Sequence, residues 1–467
     1  MERQGLAEAG STLGMLQRGR GAGYFAALKA PPEDAASMLI ACVTNDPRLD
    51  SQVESRAEYY ANLIIATGTD LHPLAEHLLT RDDQDQCGSN TCLTVGTLGE
   101  LARRGNGRAS EILLDYVSYG NWWDWAVEEL HESGRADYTA MAERIAGHFP
   151  DDDDLEKNLD ASRIRREPWT QIIAANSRIG RVVGKLRDIA GTGSTYGRHW
   201  WKQLKPQAES VSELADIRVQ DLLGCATSEN AREVSRLVEQ RVTPADERVL
   251  VEGLTSENDW QVWVCLRGLG EMKTPTACQA AMQFIVSHPE TKGPRLGAAT
   301  KAMAGAPASA CLGIGRNWFQ SPQWAFRYVA EGILEAHAED ADIPMLRAAV
   351  GVANATEDIY RLCSVIGCLK RFTNLGILPE VEQVFIDCQY SYARRRAART
   401  MQKSCSERFA DYWAFECMWD CESETRTIGC ESVRLDAEAA NNRLREILDD
   451  QYEADGVRAC AKERLGR

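Results

Sequence analysis

The chain has 467 residues, 44% of them hydrophobic and 26% charged, which is the balance of a folded protein and not of a disordered one. No apolar run approaches the roughly 20 residues needed to span a bilayer, and the first 30 residues lack the continuous apolar core of an export signal. The formal net charge of -16 argues against a nucleic-acid partner, because lysine and arginine must displace counterions from the phosphates. The charge is uneven: residues 1–160 carry 28 acids against 13 bases, residues 161–205 carry 2 against 10, and residues 206–467 carry 39 against 30. The fifteen cysteines lie in apolar stretches such as VWVCLRGL and RLCSVIGCL, as free core residues do in a reducing cytoplasm.

In chain order, residues 1–31 hold a weak apolar pattern that Pro31 and Pro32 stop. Helix pairs are expected from Glu33: Glu33 to Val43 with the amphipathic segment 51–68, His72 to Leu79 with Asn90 to Arg103, and Ala109 to Tyr116 with Trp122 to His131. Short Gly, Asn and Asp turns separate them. The pattern fails after His148, where Asp151 to Asp154 repel one another and read as a solvated loop. A single helix is expected from about Trp169 to Ile189.

Pairs resume as Asp216 to Ala226 with Glu229 to Arg241, Pro244 to Leu254 with Asp259 to Met272, and Pro275 to Val286 with Pro294 to Met303. They continue as Ala308 to Trp318 with Gln323 to His337, Ile343 to Val352 with Asp358 to Phe372, and Pro379 to Cys388 with Tyr392 to Gln402. Proline opens several first helices, where its missing N–H costs nothing. Glu407 to Cys417 adds one apolar helix, and the charged tail from Val433 to Arg467 reads as a polar cap. The expected division is thus an N-terminal array (1–150), a connecting segment (151–211), a C-terminal array (212–432) and the cap (433–467).

One register runs through these pairs. Arg295, Arg327, Arg361 and Arg394 stand 32, 34 and 33 residues apart, each with a small or aliphatic side chain at +3 and +7, as in Arg327, Ala330 and Leu334. Arg56, Tyr59 and Leu63 share the offsets. Such offsets fall within about 60° on a helix, so each unit offers a narrow seam to its neighbours. A period in the thirties built this way predicts an all-α fold, an α-solenoid of stacked antiparallel helix pairs. The pattern resembles the HEAT-repeat superfamily, including the HEAT-like repeats of phycobilisome lyases. Asp50 and Asp387 precede Arg56 and Arg394 at about the spacing of that family's turn-bonding aspartate, whereas Pro289, Ser321 and Ala355 stand there elsewhere. The resemblance implies a protein-binding scaffold, with enzymes such as bilin lyases and DNA glycosylases as the alternative.

Tryptophans open several second helices and are candidates for contact with a protein or peptide: Trp122, Trp123, Trp260, Trp263 and Trp324. The register arginines Arg327, Arg361 and Arg394 are candidates beside them, against a plain role in which each packs its stem in the seam and bonds turn carbonyls or an acid. The basic and aromatic insert, with Arg163, Arg165, Arg166, Arg181, Lys185, Arg198, Trp200 and Trp201, interleaves the groups that hold phosphates and stack on bases. Its other role is to lie against the acidic first array or Asp151 to Asp154. Histidines are isolated, and Cys405, Cys417, Cys421 and Cys430 come without a CxxC, so no metal site is assigned. Without a phosphate-binding GxxxxGK[ST] loop or a nucleophile elbow, no catalytic group or cofactor is assigned either.

Overall fold

The computed structural model describes residues 6–81, 89–159, 164, 167–192 and 217–466. Among them the chain is all-helical, with 29 α-helices, two short 3-10 turns and no strand. No helix among the described residues is long and apolar enough to cross a membrane. Residues 1–192 and 373–467 form one compact unit and residues 193–372 a second.

In the second unit, the helices Ala231–Arg241, Asp259–Met272, Gly293–Ala304, Trp324–His337 and Ile359–Leu369 pack one on the next. Each also packs against the helix just before it in the chain. Local chemistry sets these elements. Asn258 caps the second of them by accepting from the N–H groups of Trp260 (3.0 Å) and Gln261 (3.4 Å), two of the orphan donors every helix start leaves. The buried face, Val262, Cys265, Leu266 and Leu269, recurs at three and four residues, as a core-facing stripe must. Each such Leu or Val contributes about 1.5–3 kcal/mol by leaving water.

In the first unit, Ala57–Thr67, Ser89–Arg103 and Trp123–Glu132 pack in the same succession. The C-terminal part of the unit closes on residues far away in sequence. Glu54 accepts from the N–H groups of Leu49 (2.6 Å), Asp50 (3.1 Å) and Ser391 (2.9 Å) and pairs with Arg56 at 2.9 Å. Burial alone would lift its carboxyl, but Arg56 and those donors outweigh it and hold the group below the ordinary range. Cys421 N–H donates to the carbonyl of Gly19 at 2.9 Å. Gly19 has φ +67°, and a Cβ there would collide with the Cys421 sulfur, so only glycine fits this approach.

Several expectations shift locally. Asp151 to Asp154 is no loop: Asp151 caps the helix Asp152–Asn158, accepting from Asp153 N–H at 2.8 Å. Three acids in the first turn are favoured by the positive end of the helix dipole. The expected single helix at 169–189 is two, Trp169–Ala175 and Ser177–Thr192, because Asn176 turns extended and caps the second through Arg178 and Ile179 N–H. The tail is more than a polar cap. It forms helices Glu438–Asp449 and Asp455–Arg464, with Leu444, Ile447 and Val457 buried.

Candidate functional site

The register arginines meet two fates. In the first unit, Arg56 and Arg394 are enclosed in one cluster. Both donate to the carbonyl of Gln389, at 3.1 and 3.4 Å, and Arg394 pairs with Asp420 at 3.2 Å. Beside them, Arg426 bridges Glu453 (2.6 Å) and Glu58 (2.9 Å), and Arg20 pairs with Glu416 at 2.9 Å. Burial opposes the charge on Arg394, but Asp420 and Cys421 outweigh it, so the guanidinium stays firmly protonated. Arg394 is 0% exposed and cannot touch a partner; it belongs to the core.

In the second unit the arginines are half-buried and tie turns. Arg327 donates to the carbonyls of Ser321 (3.1 Å) and Pro322 (3.0 Å), groups the preceding turn leaves unpaired in the backbone ladder. Arg361 lies over the Phe319 ring, 5.6 Å from its centroid, and faces Glu331 at 3.6 Å. Burial lifts the Glu331 carboxyl to about 7, with Ser364 and Arg361 pulling the other way. Arg295 pairs with Asp259.

These ties present aromatic rings. Trp260 is 37% exposed and stands perpendicular to Trp263 at 6.2 Å. Trp324 is 48% exposed and 5.3 Å from Tyr328, itself exposed. Tyr360 is 67% exposed. All but Tyr328 lie at or next to the first residue of their helices, which belong to the packed succession, so the rings share the edge where the first helix of a pair hands over to the second. Two recesses open there. One, about 280 Å³, lies between the turns at Pro289 to Lys292 and Pro322 to Trp324. The other, about 370 Å³, has Phe319, Met345, Val352 and Arg361 in its walls.

Trp263 is half-buried beneath the Arg267 guanidinium, 6.0 Å from its ring centroid, and Arg267 pairs with Glu239 at 2.6 Å. Trp123 is buried with Phe149, His148 and Trp169 around it, a core residue. Trp122 is half-buried against Trp125, ring centroids 5.2 Å apart. Of the basic insert, Arg181 and Lys185 are exposed on the helix Ser177–Thr192. Arg178 pairs with Asp152 at 2.6 Å, and Arg178, Arg181 and Lys185 together hold that carboxyl below the ordinary range. Arg163, Arg165, Arg166, Arg198, Trp200 and Trp201 lie outside the described residues.

Tyr328 and Tyr360 are not among the sequence candidates. Both were legible as aromatics adjoining a register arginine, at +1 of Arg327 and -1 of Arg361, where a helix turns its side chains about 100° off the seam. A cleft of about 520 Å³ opens in the first unit between His72, Leu79, Ile112 and Tyr119. Its charges largely neutralise one another, with Arg144 paired to Asp115 at 3.1 Å. Among the described residues no three His, Cys, Asp or Glu side chains gather as metal ligands would.

No family model matches this chain, and no curated protein matches it.

Proposed function

We propose that the protein is a non-enzymatic, cytoplasmic scaffold, an α-solenoid of HEAT-like helix pairs, that holds a protein or peptide partner against the aromatic edge of its second unit. One observation carries this reading: Trp260, Trp324, Tyr328 and Tyr360 stand in solvent at 37 to 67% exposure on three helices of the packed succession, those of Trp324 and Tyr360 in direct contact and that of Trp260 joined to them through Gly293–Ala304. Single exposed apolar residues are ordinary, but several large exposed rings on neighbouring helices are a hot-spot composition. The rings are also preorganised, by the Asn258 cap and by the Arg327 bonds to its turn, which lowers the ordering cost of association. The recesses beside Trp324 and Arg361 are of a size to take single apolar side chains. The stacking of second helices supports the solenoid reading.

Affinity capture from native lysate tests this, comparing wild type, Trp324→Ala with Tyr360→Ala, and a Tyr412→Ala control that removes an exposed ring of the first unit. A partner retained by wild type and by the control but lost, by about tenfold or more, from the double variant supports the reading. Identical retention by all three proteins, with the double variant folded by circular dichroism, overturns it.

A further inference from the structure

The first unit holds a recess that none of the preceding roles uses. About 360 Å³ in volume, it is walled by residues of the N-terminal helices Gly21–Lys29 and Ala57–Thr67, of the C-terminal helix Glu438–Asp449, and by Trp419. That volume suits a small ligand. Three rings line it. Tyr24 and Trp419 are half-buried with their centroids 4.7 Å apart, and the buried Tyr59 is 5.9 Å from Tyr24. The Tyr59 hydroxyl donates to the carbonyl of Arg20 at 2.8 Å, which fixes its ring.

The charges of the recess are unequal. Five carboxylates stand in its walls, and three of them are already held: Asp420 by Arg394, and Glu58 and Glu453 by Arg426. The other two, Glu446 and Asp450, lie one turn apart at the end of the helix Glu438–Asp449, where like charges repel. Arg443 donates to Glu446 at 3.2 Å. Asp450 accepts from the backbone N–H of Tyr452 at 2.9 Å and has no basic partner among the described residues. The last turn of this helix carries no basic residue either, so nothing there answers the negative end of its dipole. The chain itself shows what such a place accepts: the Arg443 guanidinium lies over the Trp419 ring, 3.6 Å from its centroid, and donates to the Met418 carbonyl at 3.3 Å.

We infer that this recess binds a small organic monocation, a quaternary ammonium or an alkylguanidinium, against the rings of Tyr24 and Tyr59, with Glu446 and Asp450 supplying the opposing charge. Aromatic faces attract such cations through their quadrupole, and more strongly where water is partly excluded. The side chains of Ile65 and Ile447, also in the walls, give the alkyl part apolar contact. An anion fits less well, because the two arginines of the walls are engaged with carboxylates. The site lies in the first unit and does not depend on the aromatic edge of the second.

Isothermal titration calorimetry of the full-length protein with choline, butylguanidinium and neohexyl alcohol, the uncharged carbon isostere of choline, tests this. Both cations should bind with a Kd of about 1 mM or lower, and the alcohol about tenfold more weakly or worse. Glu446→Gln with Asp450→Asn keeps the shape of the wall and should weaken both cations by about tenfold or more. Tyr24→Leu should weaken them by about threefold or more. Asp436→Asn with Glu438→Gln, which removes two exposed acids near the other end of the same helix, should bind as wild type does. Wild type that takes up neither cation at concentrations to about 10 mM overturns the inference, and so does an alcohol that binds as tightly as choline. The inference also fails if the Glu446 and Asp450 variant, folded by circular dichroism, binds like wild type, or if the Asp436 and Glu438 variant loses as much, which would make the effect one of net charge alone.

Discussion

Arg394 and Arg327 occupy the same register of the sequence period, yet one is sealed in the first unit and the other half-exposed in the second. The difference lies in what covers them. Around Arg394 the chain brings Asp420, Gln389 and Arg56 together, from segments over 300 residues apart in the case of Arg56. Around Arg327 the hydrogen bonds stay within its own turn, to Ser321 and Pro322, with the Glu331 carboxyl one helical turn on. A local pattern therefore places the guanidinium at the start of the second helix, and tertiary closure decides whether it becomes a buried charge or a clasp on a turn. A buried pair earns little net stability relative to an apolar replacement, but breaking one partner away leaves an uncompensated charge.

The largest expected effect follows from that asymmetry. Arg394→Ala leaves Asp420 buried at 1% side-chain exposure without its partner, and should cost about 3–5 kcal/mol in urea unfolding. The double variant Arg394→Ala, Asp420→Ala should lose less than the sum of the two single variants, because residues in one ion pair couple. Strict additivity would show that the pair carries no interaction and that the closure rests on packing alone.

The units also differ in how they treat a carboxyl drawn out of water, buried in Glu331 and half-buried in Glu129. Glu331 in the second unit has Arg361 and Ser364 beside it. In the first unit, Glu129 lies against Gly99, where a Cβ would collide with its carboxylate. Burial and the neighbouring Glu132 lift Glu129 to about 8, with Arg103 the opposing charge. A carboxyl raised in the folded state binds its proton more tightly there than in the unfolded chain. Its contribution is therefore complete below the ordinary value of 4.5 and is lost as pH rises through about 8. Glu129→Gln should remove that loss and exceed wild type by on the order of 1–3 kcal/mol at pH 9, while matching it near pH 5. Parallel stability curves for the two proteins between pH 5 and 9 would count against a neutral Glu129.

Much of the helical order was legible from the sequence. Asp259–Met272 and Ala308–Trp318 run where their caps, prolines and apolar spacing put them. Trp260 and Trp324 were legible as rings at helix starts. The run NWWDW was not, because successive residues on a helix point about 100° apart: Trp123 turns into the core with Trp169 while Trp122 and Trp125 remain half-buried. The break at Asn176 depends on one side chain capping the next helix, a choice that periodicity does not register. The closure through Glu54, Ser391, Cys421 and Arg426 was invisible, since no local pattern reports that Glu54 will receive an N–H from a residue 337 positions away.

The smallest expected effect sharpens the comparison most. Arg327 hydrogen-bonds to its own turn and keeps part of its side chain in water, so Arg327→Ala should cost less than about 1 kcal/mol. Global stability is the wrong place to look for its contribution. The carbonyls of Ser321 and Pro322 would lose their donor, and the turn that carries Trp324 would open more often. Amide hydrogen exchange around Trp324 to Arg327 should speed up by about threefold or more, with the buried helix Gly293–Ala304 unchanged. If Arg327→Ala instead destabilises the protein as much as Arg394→Ala, the register itself would set the energetics, and burial would not be what separates the two arginines.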